Sequence, residues 1–484
     1  MIDKIKELEK LSKLLDPIQK QRDEWNTQVL NYSNTFINKL DTGKAYYYSE
    51  NGGKDIYNLD ITEEATELST LLESTTKNID EVGINPASGG HMGYIPGGGL
   101  YPSALGDYIA AVNNRYAGIY FTSPGAVRLE NMLVRWMCRI MGYSENAIGN
   151  LTSGGSAANL TAIVTARETF KLKAHDFHKS VIYLSEQAHH SIQKAIRIAG
   201  LNEAVLRYIP LDDNLKISVS ELENTIIKDK EKGLNPFFVV ATAGTTNTGT
   251  VDPIEPISDI AKRYNLWFHV DAAYGGFFKL VSEMREQFKG IENADSITLD
   301  PHKTLFLPFG TGAILIKDKE AILKAHHYLA DYMQDTIDVN EEISPADISL
   351  ELTKHFRGMR MWLPLKMFGL KSFRAALEEK LYLTRYFYNE IQKLDGFNVG
   401  PEPDLSVAMF RYVPKSKNAD TFNKMLIQYI QKDGRIFLSS TTINGIYWIR
   451  VAVVTFRTHL EQIDLLLKII KEKVKEIETK NLKK

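Results

Sequence analysis

A single cysteine, Cys138, stands in 484 residues, so no disulfide can form within the chain. That excludes a disulfide-stapled framework and points to a reducing compartment, with Cys138, in the run LVRWMCRIMG, expected as a small apolar core residue. An excess of one charge is also lacking: 58 Lys and Arg stand against 60 Asp and Glu, a formal net charge of −2. Such a balance offers no summed positive field, so neither nucleic acid nor an anionic membrane is expected as a partner. No run approaches the ~20 apolar residues of a membrane-spanning helix. The opening MIDKIKELEKLSKLLDPIQKQRDEW interleaves charges with Ile and Leu at helical spacing, without an unbroken apolar stretch of signal-peptide length. It reads as an amphipathic helix of a soluble, cytoplasmic protein.

What is present is ordinary in kind and ample in amount. With 44% apolar and 24% charged residues, the chain has the composition of a large globular protein of two or three domains. Its texture divides it into a helical, charged segment over 1–95, a large α/β region over 96–368 and a smaller α+β region over 369–484. Between Gly89 and Gly99 six of eleven positions are Gly, which no regular helix or central strand tolerates. His91, Met92, Tyr94 and Ile95 are interleaved there, unlike a Ser-rich flexible linker, so a site-lining crossing segment is favoured over a plain linker.

Apolar strands are expected at SVIYLS (180–185), FFVVAT (237–242), LWFHVD (266–271), DSITLD (295–300) and GAILIK (312–317), with helices between several of them. Strands buried on both faces and joined by helices form a parallel or mixed sheet, and ligands bind at the carboxyl ends of such strands. Those ends carry Asp271 in DAAYGG, Lys303 in DPHKT, the hydroxyl-rich AGTTNTG (243–249), and His189 in SEQAHH. A fifth piece, TSGGSAAN (152–159), puts Gly154, Gly155 and Ser156 at a helix N-terminus, where free N–H groups and the dipole suit a phosphate. Each has a plainer alternative: His189 a hydrogen-bonded structural histidine, Asp271 a turn cap, Lys303 a surface lysine. Together they meet one set of demands, those of pyridoxal phosphate: a phosphate cradle, a carboxylate for a ring nitrogen, an imidazole over the ring and an amine for an aldehyde.

With those residues in place, the chain resembles the pyridoxal-phosphate-dependent group II amino acid decarboxylases, the family of aromatic-L-amino-acid, histidine and glutamate decarboxylases. HVDAAYGG (269–276), ADSITLDPHK (294–303), EQAHHS (186–191), TSGGSAAN, ATAGTTNTGTVDP (241–253) and GYIPGGGLYPSALGDY (93–108) carry the resemblance. It continues more weakly through LELTKHFRGMRMW (350–362) to RVAVVTFRTH (450–459). The implied fold is α/β, aspartate-aminotransferase-like (PLP fold type I): a mostly parallel sheet in the large domain, an N-terminal helical segment and a small C-terminal α+β domain. Pyridoxal 5'-phosphate is the implied cofactor, and a homodimer with shared active sites, clasped by residues 1–95, the implied assembly.

The resemblance also assigns roles. It implies that Lys303 holds the cofactor aldehyde, Asp271 the ring nitrogen, and that His189 and Ala273 pack the two ring faces. Gly154, Gly155, Ser156 and Thr246 would contact the phosphate or a ring oxygen, with His302 beside the lysine. Decarboxylation requires the carboxylate bond to stand perpendicular to the ring plane, and Tyr328 in HHYLADYMQD, in preference to Tyr332, would return a proton afterwards. Two positions depart from the eukaryotic aromatic decarboxylases: Thr304 stands where they have Trp, and Asp300 where they have Asn. An anion near a phosphate is costly, so Asp300 is expected to face backbone or a cation. Substrate walls are expected from His91, Tyr94 and Ile95 and, across the dimer, Tyr116 and Ile119. They favour an aromatic amino acid of the tyrosine, DOPA, phenylalanine or tryptophan type, with His91 bonding a phenol or indole. An acidic substrate held by Arg115 or Arg128, an aminotransferase or desulfurase, and an inactive binding protein remain as alternatives.

Overall fold

The computed structural model describes residues 1–327, 342–415 and 418–482. The chain opens with α1 (Ile2–Ser12) and α2 (Gln19–Asn38), neither of which buries a residue. β1 (Tyr46–Tyr47) and β2 (Gly83–Ile84) pair antiparallel around α3 (Leu68–Thr75), and α4 (Tyr101–Asn113) and α5 (Pro124–Met141) follow. Cys138 lies on the buried face of α5, where burial pushes its thiol up to about 12. Among the described residues no helix is long and apolar enough to cross a membrane.

Seven strands form the central sheet: β3 (Ile148–Thr152), β4 (Ser180–Ser185), β5 (Val205–Ile209), β6 (Asn235–Thr242), β7 (Trp267–Asp271), β8 (Ser296–Leu299) and β9 (Gly312–Ile316). Their spatial order is β3-β9-β8-β7-β6-β4-β5, and only β9 runs against its neighbours. β4, β7 and β8 are buried along their whole length because both faces are covered, which is why their sequences read as continuous apolar runs. Side chains still alternate. Val239 and Ala241 of β6 face one core with α5 and α8 (Ile254–Tyr264), while Phe238 and Val240 face another with α6 (Gly155–Thr169) and α7 (Ser191–Ile198). Register puts Thr242, Asp271 and Thr298 side by side, so β6, β7 and β8 end level.

The long helix Gly358–Gln392 is broken at Gly369, whose φ of 68° is open to glycine and costly for other residues. Beyond it lies a four-stranded antiparallel sheet, order β10-β11-β13-β12, made of β10 (Phe397–Val399), β11 (Val407–Tyr412), β12 (Ser439–Ile443) and β13 (Ile446–Ala452). Its core, built on Phe387, Phe410, Leu426 and Ile449, also takes in Met92 of the Gly-rich segment. That segment is an ordered crossing between the two sheets. Met92 exchanges backbone hydrogen bonds with Phe437 and Ala452, and Leu100 donates to Phe306 just after the Lys303 turn. Glycine is required at position 97, where a Cβ would stand 2.1 Å from the His302 carbonyl oxygen.

Candidate active site

The level ends of β6, β7 and β8 open a cleft of about 340 Å³ facing the N-terminus of α6. Gly154, Gly155, Ser156, His189, Thr246, Asp271, Ala273, His302 and Lys303, singled out from sequence for the cofactor, all line it. Lys303 sits on a one-turn helix (Pro301–Thr304) immediately after β8, which Pro301 starts by fixing φ at the first helical position. Its Nζ lies 3.0 Å from Asp300 Oδ2, so the cation expected to face Asp300 is Lys303 itself. Asp300 Oδ1 is buried without a hydrogen-bond partner. Thr304 is buried and donates its hydroxyl to the Tyr274 carbonyl 3.0 Å away.

Asp271, buried at the end of β7, accepts from the Ala273 N–H (3.2 Å) and from Asn159 Nδ2 (3.0 Å). His189 Nδ1 lies 2.8 Å from Ser191 Oγ. Burial draws the His189 imidazole below its ordinary range, against the opposing pull of Asp271, and burial does the same to His302. His302 Nδ1–H donates to the Thr311 carbonyl at 2.7 Å, which turns Nε2 toward Asp300, 3.7 Å away. The Thr246–Asn247 turn is clamped from the small sheet by Arg450, which donates to both of its carbonyls and, at 2.7 Å, to Ser439 Oγ. Burial among neutral acceptors lowers that guanidinium to about 10.

The donor set fits pyridoxal phosphate. At the start of α6 the Ala157 and Ala158 N–H groups donate to the Gly154 carbonyl, which leaves those of Gly155 and Ser156 for a ligand in the cleft, beside the Ser156 hydroxyl. A Cβ on Gly155 would stand 3.0 Å from Asp300 Oδ2 and 3.4 Å from the Ala273 Cβ, so the turn is a cradle that a side chain would fill. An amine, a buried carboxylate and an imidazole face the same space. Among the described residues no group of three or more His, Cys, Asp or Glu is arranged to hold a metal ion.

The residues expected to contact substrate are more scattered, and none lines this cleft. His91 is buried against Phe437, ring centroids 5.6 Å apart, and both ring nitrogens are enclosed without a partner. The hydrogen bond expected from it to a phenol or indole is therefore not available in this conformation. Ile95 packs into the large core, whereas Tyr94 is exposed, with its ring 5.9 Å from that of Phe437. Tyr116 donates its hydroxyl to the Leu352 carbonyl at 2.8 Å, and Ile119 is buried. Arg115 is exposed and Arg128 stacks 5.1 Å over the Tyr120 ring. Tyr328 and Tyr332 lie outside the described residues. Reading the sequence missed Asn159, Ser191 and His269, although one signal was available: in an extended strand His269 and Asp271 share a face, so the histidine had to stand beneath the carboxylate.

The family model described as the pyridoxal-dependent decarboxylase conserved domain matches residues 53–413. An aromatic-L-amino-acid decarboxylase of Bacillus atrophaeus is 31% identical over 422 residues, covering 86% of this chain and 88% of that protein. A tyrosine decarboxylase of Papaver somniferum is 28% identical over 433 residues, covering 84% and 85%. The crystal structure of Oryza sativa TDC with PLP and tryptamine shares the fold with a TM-score of 0.89 at 21% identity, covering 96% of this chain and 99% of that one.

Proposed function

Because the chain belongs to the pyridoxal-dependent decarboxylase family, it is a pyridoxal-phosphate-dependent amino acid decarboxylase, and we propose that its substrates are aromatic L-amino acids. The observation that carries the assignment of roles is the convergence of Lys303, Asp271 and His189 on one cleft opposite the open end of α6. When bound, pyridoxal phosphate supplies an electron sink for the pair left behind as CO2 departs. Lys303 holds the aldehyde through its amine. Asp271, fixed between the Ala273 and Asn159 donors, holds a proton at the ring nitrogen. His189, drawn below its ordinary range by burial, would offer a flat face to the ring, and the Ala273 methyl would cover the other side. Gly155 and Ser156 receive the phosphate at the positive end of α6. Tyr328 returns the proton to the product carbon, a role resting on the sequence resemblance alone.

Three observations support an aromatic substrate. The relatives above are an aromatic-L-amino-acid and a tyrosine decarboxylase. Exposed aromatic rings flank the cleft: Phe309 lies 5.9 Å from His302, and Tyr94 stands on the crossing segment. Among the described residues no arginine lines the cleft to pair two-pronged with a distal carboxylate. The exposed apolar faces of α1 and α2 support a homodimer; of the substrate walls expected at its seam, Tyr94 is open to solvent, whereas Ile95 and Ile119 are buried within their own subunit. A lone, buried cysteine fits a cytoplasmic setting. The test is a screen of the twenty amino acids with DOPA and 5-hydroxytryptophan for CO2 and amine release. Turnover confined to aromatic substrates is expected. Release from glutamate or aspartate with none from the aromatic set would overturn the reading.

A further inference from the structure

At the back of the cleft lies a buried polar chain of which the roles above use only the contact of Asn159 with Asp271. Asn159, 1% exposed, places its amide nitrogen 3.0 Å from Asp271 Oδ2 and 3.0 Å from Ser191 Oγ. Its amide oxygen lies 2.6 Å from Thr298 Oγ1 and 3.0 Å from His269 Nε2. His269 Nδ1 in turn lies 2.8 Å from Ser296 Oγ, which is also 2.8 Å from the Trp267 indole nitrogen.

Donor and acceptor chemistry allows one assignment of these hydrogens. A carboxylate accepts, so the NH2 end of Asn159 must face Asp271 and its oxygen must face Thr298 and His269. That oxygen needs a hydrogen from His269 Nε2. An indole only donates, so Ser296 accepts from Trp267 and passes its own hydrogen to His269 Nδ1. Burial brings His269 down to about 4, which keeps it neutral and consistent with one hydrogen on the ring. On the other arm, Ser191 accepts the second amide hydrogen of Asn159 and donates to His189 Nδ1, toward which the Ser191 N–H also points at 3.3 Å. The His189 hydrogen therefore sits on Nε2.

We propose that Asn159 is a positioning residue that orders both halves of the cofactor grip at once, giving one amide hydrogen to Asp271 and the other to the Ser191–His189 pair. Thr298 and His269 lock its amide against rotation. An amide cannot relay a proton, so Asn159 also insulates Asp271 from His269. The ionisable groups facing the pair from elsewhere are His190, Lys303 and Asp300, none of which belongs to this chain of donors. That the two halves grip a cofactor rests on the function proposed above; the tautomer of His189 does not.

The experiment takes full-length wild type, Asn159→Ala and Ser191→Ala and reads two signals. The first is the side-chain 15N NMR of His189 in the cofactor-free protein. The second is pyridoxal phosphate affinity, with the pH midpoint of the visible absorbance of the loaded protein. In wild type His189 should carry its hydrogen on Nε2. Ser191→Ala should shift the His189 Nδ1 signal, because only the Ser191 N–H then remains to donate to it, and leave the absorbance midpoint in place. Asn159→Ala should disturb the tautomer, move the midpoint and weaken cofactor affinity about ten- to a hundredfold, as expected for a lost hydrogen bond to a charged group. Folded Asn159→Ala with the wild-type midpoint and tautomer overturns the proposal. If Asn159→Ala does not fold, an unchanged His189 signal in Ser191→Ala overturns it. A wild type that takes up no cofactor defeats the proposed function, while the NMR signal still decides the network.

Discussion

Asp300 brings a carboxylate to the floor of a phosphate cradle, and its surroundings show how that is tolerated. Oδ2 is matched by Lys303, but Oδ1 is buried without a partner, 3.4 Å from where a Cβ on Gly155 would stand. Asp300→Asn would keep an acceptor for Lys303, remove the anion and turn an orphaned acceptor into a donor aimed at the cradle. The expected outcome is pyridoxal phosphate affinity about tenfold tighter or more, read from absorbance titration of the cofactor-free protein. Weaker binding would mean that the carboxylate serves the site. His91 makes a different prediction. Burial draws its pKa down to about 4, whereas the unfolded chain titrates near 6.5. As pH falls from 6.5 toward 4 the unfolded state gains a proton that the folded state refuses, so this residue costs stability at about 1.4 kcal/mol per pH unit across that window. His91→Leu should therefore raise the melting temperature, and by more at pH 5 than at pH 8. A uniform gain would place the effect in packing instead.

At the scale of elements, legibility followed the continuity of apolar residues along a strand. The strands at 180–185, 237–242, 266–271, 295–300 and 312–317 were readable because each is an apolar run bounded by a turn, and all five are present within two residues of those bounds. β3 (IGNLT) and β5 (VLRYI) were not readable, since both lie at the sheet edges and mix polar with apolar residues. The nine residues named for a cofactor line one cleft because the fold delivers strand ends to one place. The Asn159 network was not, because it joins residues up to 139 positions apart through side chains alone. The same holds for Lys354, whose fully buried amine meets Glu130 of α5 at 2.9 Å and donates to Asn150 Oδ1 and the Leu151 carbonyl of β3, directly before the cradle. Removing one member of a buried pair leaves the other charge uncompensated, at a cost of about 3–5 kcal/mol. Lys354→Met should thus lower the melting temperature sharply. The double variant Lys354→Met/Glu130→Leu should recover much of the loss, and no recovery would mean that the lysine acts through β3 instead of through the ion pair.

For the whole molecule, the feature that asks for a partner is the N-terminal helix. Ile2, Ile5, Leu8 and Leu11 recur every third residue on α1, Leu15 follows in the turn after it, and each is more than half exposed. Exposed Trp25, Val29 and Leu30 on α2 extend the apolar surface. A continuous stripe of this kind on a chain with almost no net charge has neither burial nor repulsion to keep it apart from other copies. An amphipathic N-terminus was readable from spacing alone, but that α1 buries none of its residues appears only in the folded chain. If α1 clasps a second copy, light scattering should give twice the 54.8 kDa chain mass. Leu8→Glu/Leu11→Glu should halve that mass, with little loss of helical content because both positions lie outside the core. Decarboxylation should fall in parallel with dissociation if the partner subunit completes the substrate walls. A wild type of 54.8 kDa, or an active monomeric variant, would remove the shared site and leave the stripe to a different partner.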